Sequence, residues 1–191
     1  MQDRECAEHV SRKVGLDVGR LDDGQSFLCI LPGHRERTPS ATWFQTNSGH
    51  YIYHDWHVRS GHAYYPVPDV FAALVTGKPK SLPKPSRKTW RLRLMIEAGL
   101  LDPYPVAMKP FPDDMPKLLR HFCERFQYLC ACKWTYQERA PTMFSDEFAA
   151  GWCGIREGSI WKLRGLALAH GFIVAARDDE GRLVYLPGKD G

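Results

Sequence analysis

The sequence predicts an α+β chain of two small domains: a sheet domain in the N-terminal half and a helical domain closed by a β-hairpin at the C-terminal end. Three observations predict it. Apolar and polar residues alternate through residues 50–56, the period of a strand with one covered face. Apolar residues recur every three to four positions between 117 and 170, the period of helices. Between them lies a stretch rich in proline, lysine and arginine that neither pattern crosses. A length of 191 residues suits one or two domains. With 43% hydrophobic and 12% aromatic residues, the chain has the apolar surface to pack cores, which excludes disorder as the dominant state. The best candidate for a membrane span, residues 61–74, is too short and is broken by Pro66, Pro68 and Asp69. The opening MQDRECAEHVSRK has no apolar core, so it does not read as a secretory signal, and the expected compartment is the cytoplasm.

The elements follow in order. Cys6, Val10 and Val14 recur at helical spacing within residues 3–15. Residues 26–31, 41–45 and 50–56 read as strands, with Asn47-Ser48-Gly49 as the hairpin turn between the last two. Pro68-Asp69 opens a helix that Thr76-Gly77 closes. Residues 77–88 read as a basic linker, 89–100 as a short amphipathic helix, and 103–116, with five prolines, as extended chain. Leu118, Phe122, Phe126 and Leu129 predict one apolar stripe of a helix over 117–136. Ser145 is a good N-cap for a second helix, which Gly154 ends, and a third runs from about Ser159 to His170-Gly171. FIVAAR and RLVYL, joined by the Asp178–Gly181 turn, complete a β-hairpin. The expected boundaries are therefore 1–80 for the sheet domain, 81–116 for the linker and its short helix, and 117–191 for the helical domain.

Charge is uneven. Residues 81–110 carry 6 Lys+Arg against 2 Asp+Glu, while the flanking segments are neutral, so the whole excess of +4 sits there. Lys84, Arg87, Lys88, Arg91 and Arg93 form the local patch, which reads either as a phosphate-attracting surface or as a solvated linker. The six cysteines, in a chain without an export signal, read as buried thiols; Cys130 and Cys132 diverge on a helix and are expected in the core. Cys29, close to histidines, calls for a metal test.

The order helix, helix, turn, helix, hairpin is that of a winged helix-turn-helix. The third helix is expected to bury Ile160, Leu163 and Ala167 and to present Arg156, Ser159 and Lys162, where this architecture meets DNA. Arg177 and Arg182 flank the wing turn as backbone contacts, although the tip, Asp178-Asp179-Glu180, is acidic.

Cys29 and His34 are followed by Arg35-Glu36-Arg37-Thr38-Pro39-Ser40, then by the hairpin, Tyr53-His54-Asp55-Trp56-His57 and Asp69-Val70-Phe71. This run, over roughly residues 25–75, resembles the zinc-binding domain of bacterial and phage primases, the CHC2 zinc finger. The resemblance implies a zinc-ribbon sheet and a zinc ion. Here the first pair is Cys-x4-His where the family has Cys-x2-His, and the second pair has no cysteine. Aligning on the Tyr-His step makes Cys29, His34, Asp55 and His57 the expected ligands, a set zinc accepts. Strand alternation puts Asp55 and His57 on one face and His54 on the other. The alternative is a metal-free fold held by Trp43, Phe44, Tyr51, Tyr53 and Trp56. The resemblance also implies contact with single-stranded template through an exposed sheet, with Arg35, Arg37, Trp43, Tyr53 and Arg59 as candidates.

A primase catalytic domain has no room in the chain, and Asp113-Asp114 and Asp178-Asp179 read as turn pairs, so no enzyme is expected. The expectation is a DNA-binding replication protein of a plasmid, phage or integrative element, acting on single-stranded or forked DNA. The alternatives are a winged-helix transcriptional regulator and an adaptor for a primase, polymerase or helicase.

Overall fold

Six helices and two small antiparallel sheets make up the computed structural model, which describes residues 2–34, 36–56, 64–79, 81–137 and 139–189. The class is α+β. The chain divides between Leu101 and Asp102. The first unit holds α1 (Gln2–Lys13), β1 (Ala41–Gln45), β2 (Tyr51–Asp55), β3 (Tyr64–Pro66), α2 (Val67–Thr76) and α3 (Lys84–Glu97). The second holds α4 (Lys117–Trp134), α5 (Asp146–Cys153), α6 (Glu157–Ala169), β4 (Ile173–Arg177) and β5 (Leu183–Pro187). No helix among the described residues is long and apolar enough to cross a membrane.

In the first unit the strands pair in the order β1-β2-β3, with Trp43 opposite Tyr53 and Tyr53 opposite Tyr65. The β1–β2 turn closes as expected, Gly49 taking the left-handed φ of 81°. Ala41, Trp43, Tyr51, Tyr53 and Asp55 are buried on one face, where α1 and α2 pack on β2. Residues 26–31 form no strand: only Phe27 pairs, with Ala41, and the chain then turns away through Leu28–Leu31.

The basic stretch is not a linker. Helix α3 begins at Lys84, five residues before the expected start, and belongs to the first unit. Pro83 caps it and Pro85 lies in its first turn, where a missing N–H costs no helical bond. It packs on α2 through Phe71 and Trp90, whose ring centroids lie 6.0 Å apart. Arg87 Nε donates to the fully buried Asp69 at 2.7 Å, and Asp69 also accepts the Leu82 N–H at 3.0 Å. Arg93 is buried, donates to Glu97 at 2.8 Å and lies over the Trp90 ring.

In the second unit α4 supplies the central core: Leu119, Phe122, Cys123, Phe126, Leu129 and Cys130 are buried. The expected stripe is one position out at its start, since Leu118 is half exposed and Leu119 lies inside. Phe144 joins Phe122 and Phe126, with ring centroids at 5.6 and 5.2 Å. The Ser145 side chain caps α5 by accepting the Phe148 N–H, and Gly154, with φ 68°, turns the chain into α6. Ile160, Leu163 and Ala167 are buried, as are Phe172 and Ile173. Cys130 and Cys132 lie in the core. The hairpin pairs Ala175 with Tyr185, and Thr142 bridges Tyr185 as a third, one-residue strand.

The proline-rich segment is a strap on this unit rather than a spacer. Gln127 Nε2 donates to the Val106 carbonyl at 2.7 Å, Lys109 N–H to the Gly188 carbonyl at 2.8 Å, and Phe111 meets Phe172 edge-on. Gly188 in turn lies against the Gly171–Phe172 backbone, where an added Cβ would stand 1.8 Å from the Gly171 carbonyl oxygen. Gly188→Ala must therefore push β5 away from the α6–β4 junction. The expected loss is about 3 kcal/mol, at the upper end of overpacking costs, measured by urea denaturation; an unchanged midpoint would refute the close approach.

Candidate functional site

Three side chains converge at the edge of the first unit's sheet: Cys29, His34 and Asp55. Leu31-Pro32-Gly33-His34 is the sequence of a type II turn, with proline second and glycine third. It forms one: His34 N–H reaches the Leu31 carbonyl at 3.3 Å, and Gly33 has a φ of 84°. The turn carries His34 back over Cys29. Asp55 arrives from β2, on the buried parity of the strand.

Cys29 Sγ lies 3.4 Å from His34 Nδ1 and donates to Asp55 Oδ2 at 3.3 Å; His34 Nδ1 stands 2.9 Å from the same oxygen. Tyr53 orders the thiol, donating its hydroxyl to Cys29 Sγ at 3.1 Å while accepting the Ile30 N–H at 3.0 Å. Burial pushes the Cys29 thiol up to about 11, against the opposing hydrogen bond from Tyr53. Burial also raises the Tyr53 phenol. Both groups therefore hold their protons at neutral pH.

The donor set suits a borderline metal such as zinc, with one sulfur, one imidazole nitrogen and one carboxylate oxygen. All three ligand atoms lie within 4.8 Å of one another. A tetrahedron with zinc bonds of about 2.0–2.3 Å has edges of about 3.3–3.6 Å, close to the separations of 2.9–3.4 Å found here. Three residues of this site thus could hold a metal ion; the expected fourth ligand, His57, lies outside the described residues. A bound ion would take the place of the thiol proton and tie the 28–34 loop to β2.

The sheet's other face is aromatic. Register puts Thr42, Phe44, Ile52, His54 and Tyr64 on it. His54 stacks on Tyr64 with ring centroids at 4.3 Å and an interplanar angle of 12°, and Trp56 lies 3.9 Å from it on the next outward position. Trp56 is 66% exposed, Tyr64 60% and Phe44 36%. His54 beneath them is buried, which holds its imidazole below the usual range.

The expected nucleic-acid residues therefore divide. Trp43 and Tyr53 are corrected: they are 1% and 0% exposed and form the core. Phe44, Trp56 and Tyr64 occupy the open face instead. The signal that could have found them is parity, because a strand that turns Tyr53 and Asp55 inward must turn His54 and Trp56 outward. Arg37 is exposed on the loop, and Arg35 and Arg59 lie outside the described residues. Arg87 and Arg93 are committed to Asp69 and Glu97, and Arg91 stands 3.4 Å from Asp3. Lys84 and Lys88 are exposed. In the second unit Arg156 and Lys162 are exposed on α6, and Ser159 is half-buried. Arg177 donates to the Gly181 carbonyl at 2.6 Å, while Arg182 pairs with Asp178 at 2.8 Å and Glu180 at 2.6 Å, so both wing arginines hold the turn itself. Comparison with protein-family models, with curated proteins and with solved structures finds no match for this chain.

The site predicts cobalt(II) or zinc binding by the purified protein, with proton release and, for cobalt, a sulfur-to-metal charge-transfer band. Cys29→Ser is expected to abolish the band, and Asp55→Asn to weaken affinity by about 10–100-fold or more. Binding unaffected by both would eliminate this centre.

Proposed function

We propose that the chain is a non-enzymatic DNA-binding protein that holds single-stranded or forked DNA on the outer face of its N-terminal sheet, in the replication of a plasmid, phage or integrative element. The observation that carries the reading is the exposed aromatic group of Trp56, Tyr64 and Phe44, stacked around His54. Large aromatic surface left in water on a rigid sheet is what base stacking requires, and it accepts any base because every base has a π-face. The Cys29–His34–Asp55 group on the opposite face supports the likeness to a primase-type zinc module; a zinc ion there would be structural, fixing the loop under the sheet. The helix–bridge–helix–helix–hairpin order of the second unit supports a winged helix.

The test is fluorescence anisotropy with single-stranded, duplex and forked DNA of equal length, at low and moderate salt. Single-stranded or forked DNA is expected to bind best. Trp56→Ala and Tyr64→Ala are each expected to cost about 1–3 kcal/mol of affinity, while melting temperature stays near that of the parent. Duplex preference insensitive to both substitutions would move the reading to a regulator acting through the second unit.

One observation favours an adaptor role for that second unit. Trp161 on α6 is 67% exposed, beside Gly158 and Gly165, whose Cα atoms face open space. A helix meant to read phosphates rarely leads with tryptophan, whereas partner surfaces are enriched in it. If α6 recruits a primase, polymerase or helicase, Trp161→Ala leaves DNA affinity unchanged within about twofold and abolishes co-elution with that partner; an equal loss on DNA points to nucleic acid instead.

A further inference from the structure

A cleft of about 470 Å³ opens in the first unit between the β1–β2 turn and α3. One wall is cationic: Lys84, Arg87, Lys88 and Arg91 fall at i, i+3, i+4 and i+7, a single face of α3. The facing wall carries the hydroxyls of Thr46 and Ser48, and the floor is apolar, formed by Ile52, Pro66 and Pro68. Asp3 is the carboxylate in the described lining, and Asp69 lies behind Arg87. Set against four cations, these two leave an excess of two positive charges. A phosphodiester carries one negative charge, whereas a terminal phosphate carries close to two at neutral pH.

We infer that this cleft binds a nucleotide by its terminal phosphate, with Lys84 and Lys88 at the phosphate and the base or sugar on the Ile52–Pro66–Pro68 floor. The ligand is either a free nucleoside phosphate or the phosphorylated 5′ end of a strand. The two sources share the same dianion next to a flat ring. Arg87 is a positioning residue: its hydrogen bonds to Asp69 at 2.7 and 3.1 Å fix the phase of α3 so that the lysines face the cleft. Arg91, 3.4 Å from Asp3, plays the same part at the far end. The inference rests on the nucleic-acid reading only in taking the phosphorylated ligand to be a nucleotide.

The full-length protein is titrated with ATP, adenosine, inorganic pyrophosphate, and one single-stranded oligonucleotide with either a 5′-phosphate or a 5′-hydroxyl. The phosphorylated oligonucleotide is expected to bind about tenfold tighter than its hydroxyl twin, the weight of one charge-assisted hydrogen bond. ATP is expected to bind where adenosine does not, with pyrophosphate competing. Lys84→Ser with Lys88→Ser, both exposed, should remove the preference at unchanged melting temperature; Ile52→Asp, at the floor, should weaken ATP and leave pyrophosphate in place. Preference for the 5′-phosphate without ATP binding assigns the cleft to a strand end, and the converse assigns it to free nucleotide. Equal binding of the two oligonucleotides together with no ATP binding overturns the inference. The strand-binding reading survives that result if Trp56→Ala still weakens both oligonucleotides; ATP binding with no oligonucleotide binding would overturn the strand-binding reading and leave the cleft standing.

Discussion

The alternation of side chains along β2 governs the first unit. Tyr51, Tyr53 and Asp55 point inward; Ile52, His54 and Trp56 point outward. The inward set supplies the core and one of the three convergent side chains. The outward set supplies the stacked aromatic face. A slip of one residue would exchange the two sets, putting His54 into the core and Asp55 into solvent, so register here is a functional constraint as well as a structural one. Several bonds fix it. Trp43 faces Tyr53 across the β1–β2 ladder, the Thr46 N–H reaches the His50 carbonyl at 2.8 Å, and the Tyr53 hydroxyl is pinned between Ile30 and Cys29.

Local patterns were legible in the sequence where they alone decide structure. The Pro-Gly turn before His34, the hairpin turn at 47–49, the Ser145 cap and the glycines after α2 and α5 all act over four residues or fewer, and each is where it was expected. What the sequence hides is long-range. The positive stretch at 84–93 looks solvated until its partners appear, and these lie 18 residues away for Arg87 and at the other end of the unit for Arg91. Prolines at 83 and 85 resemble helix breakers, yet at a helix start they break nothing. The metal-ligand candidates were readable as Cys29, His34 and Asp55. The aromatic face was not, because both parities of the sheet carry aromatics and period alone does not say which parity is covered.

The two units manage polar backbone differently. In the first, the sheet and helices satisfy one another through ladder bonds and through buried charge, with Asp69 holding both a guanidinium and a main-chain N–H. Removing one member of such a pair strands the other in an apolar setting, which is why buried pairs are hard to lose piecemeal. The second unit relies on aromatic packing, from Phe144 and Trp152 to Phe172, and on short polar ties such as Trp152 Nε1 to the Arg125 carbonyl at 2.9 Å. His121, bonded to the Cys153 carbonyl at 2.8 Å, closes the end of α5 in the same manner.

The proline strap over α4 and the hairpin sets how the second unit can be inherited. A helical module cut at Lys117, where regular structure begins, would leave Phe172 without Phe111 and the Gly188 carbonyl without the Lys109 N–H. Recombination that moved the module between genes would have to carry the fifteen residues from Asp102 to Pro116 with it, although they contain neither helix nor strand. The portable element is thus longer than its regular structure, and its true edge lies where the fold changes from one unit to the other.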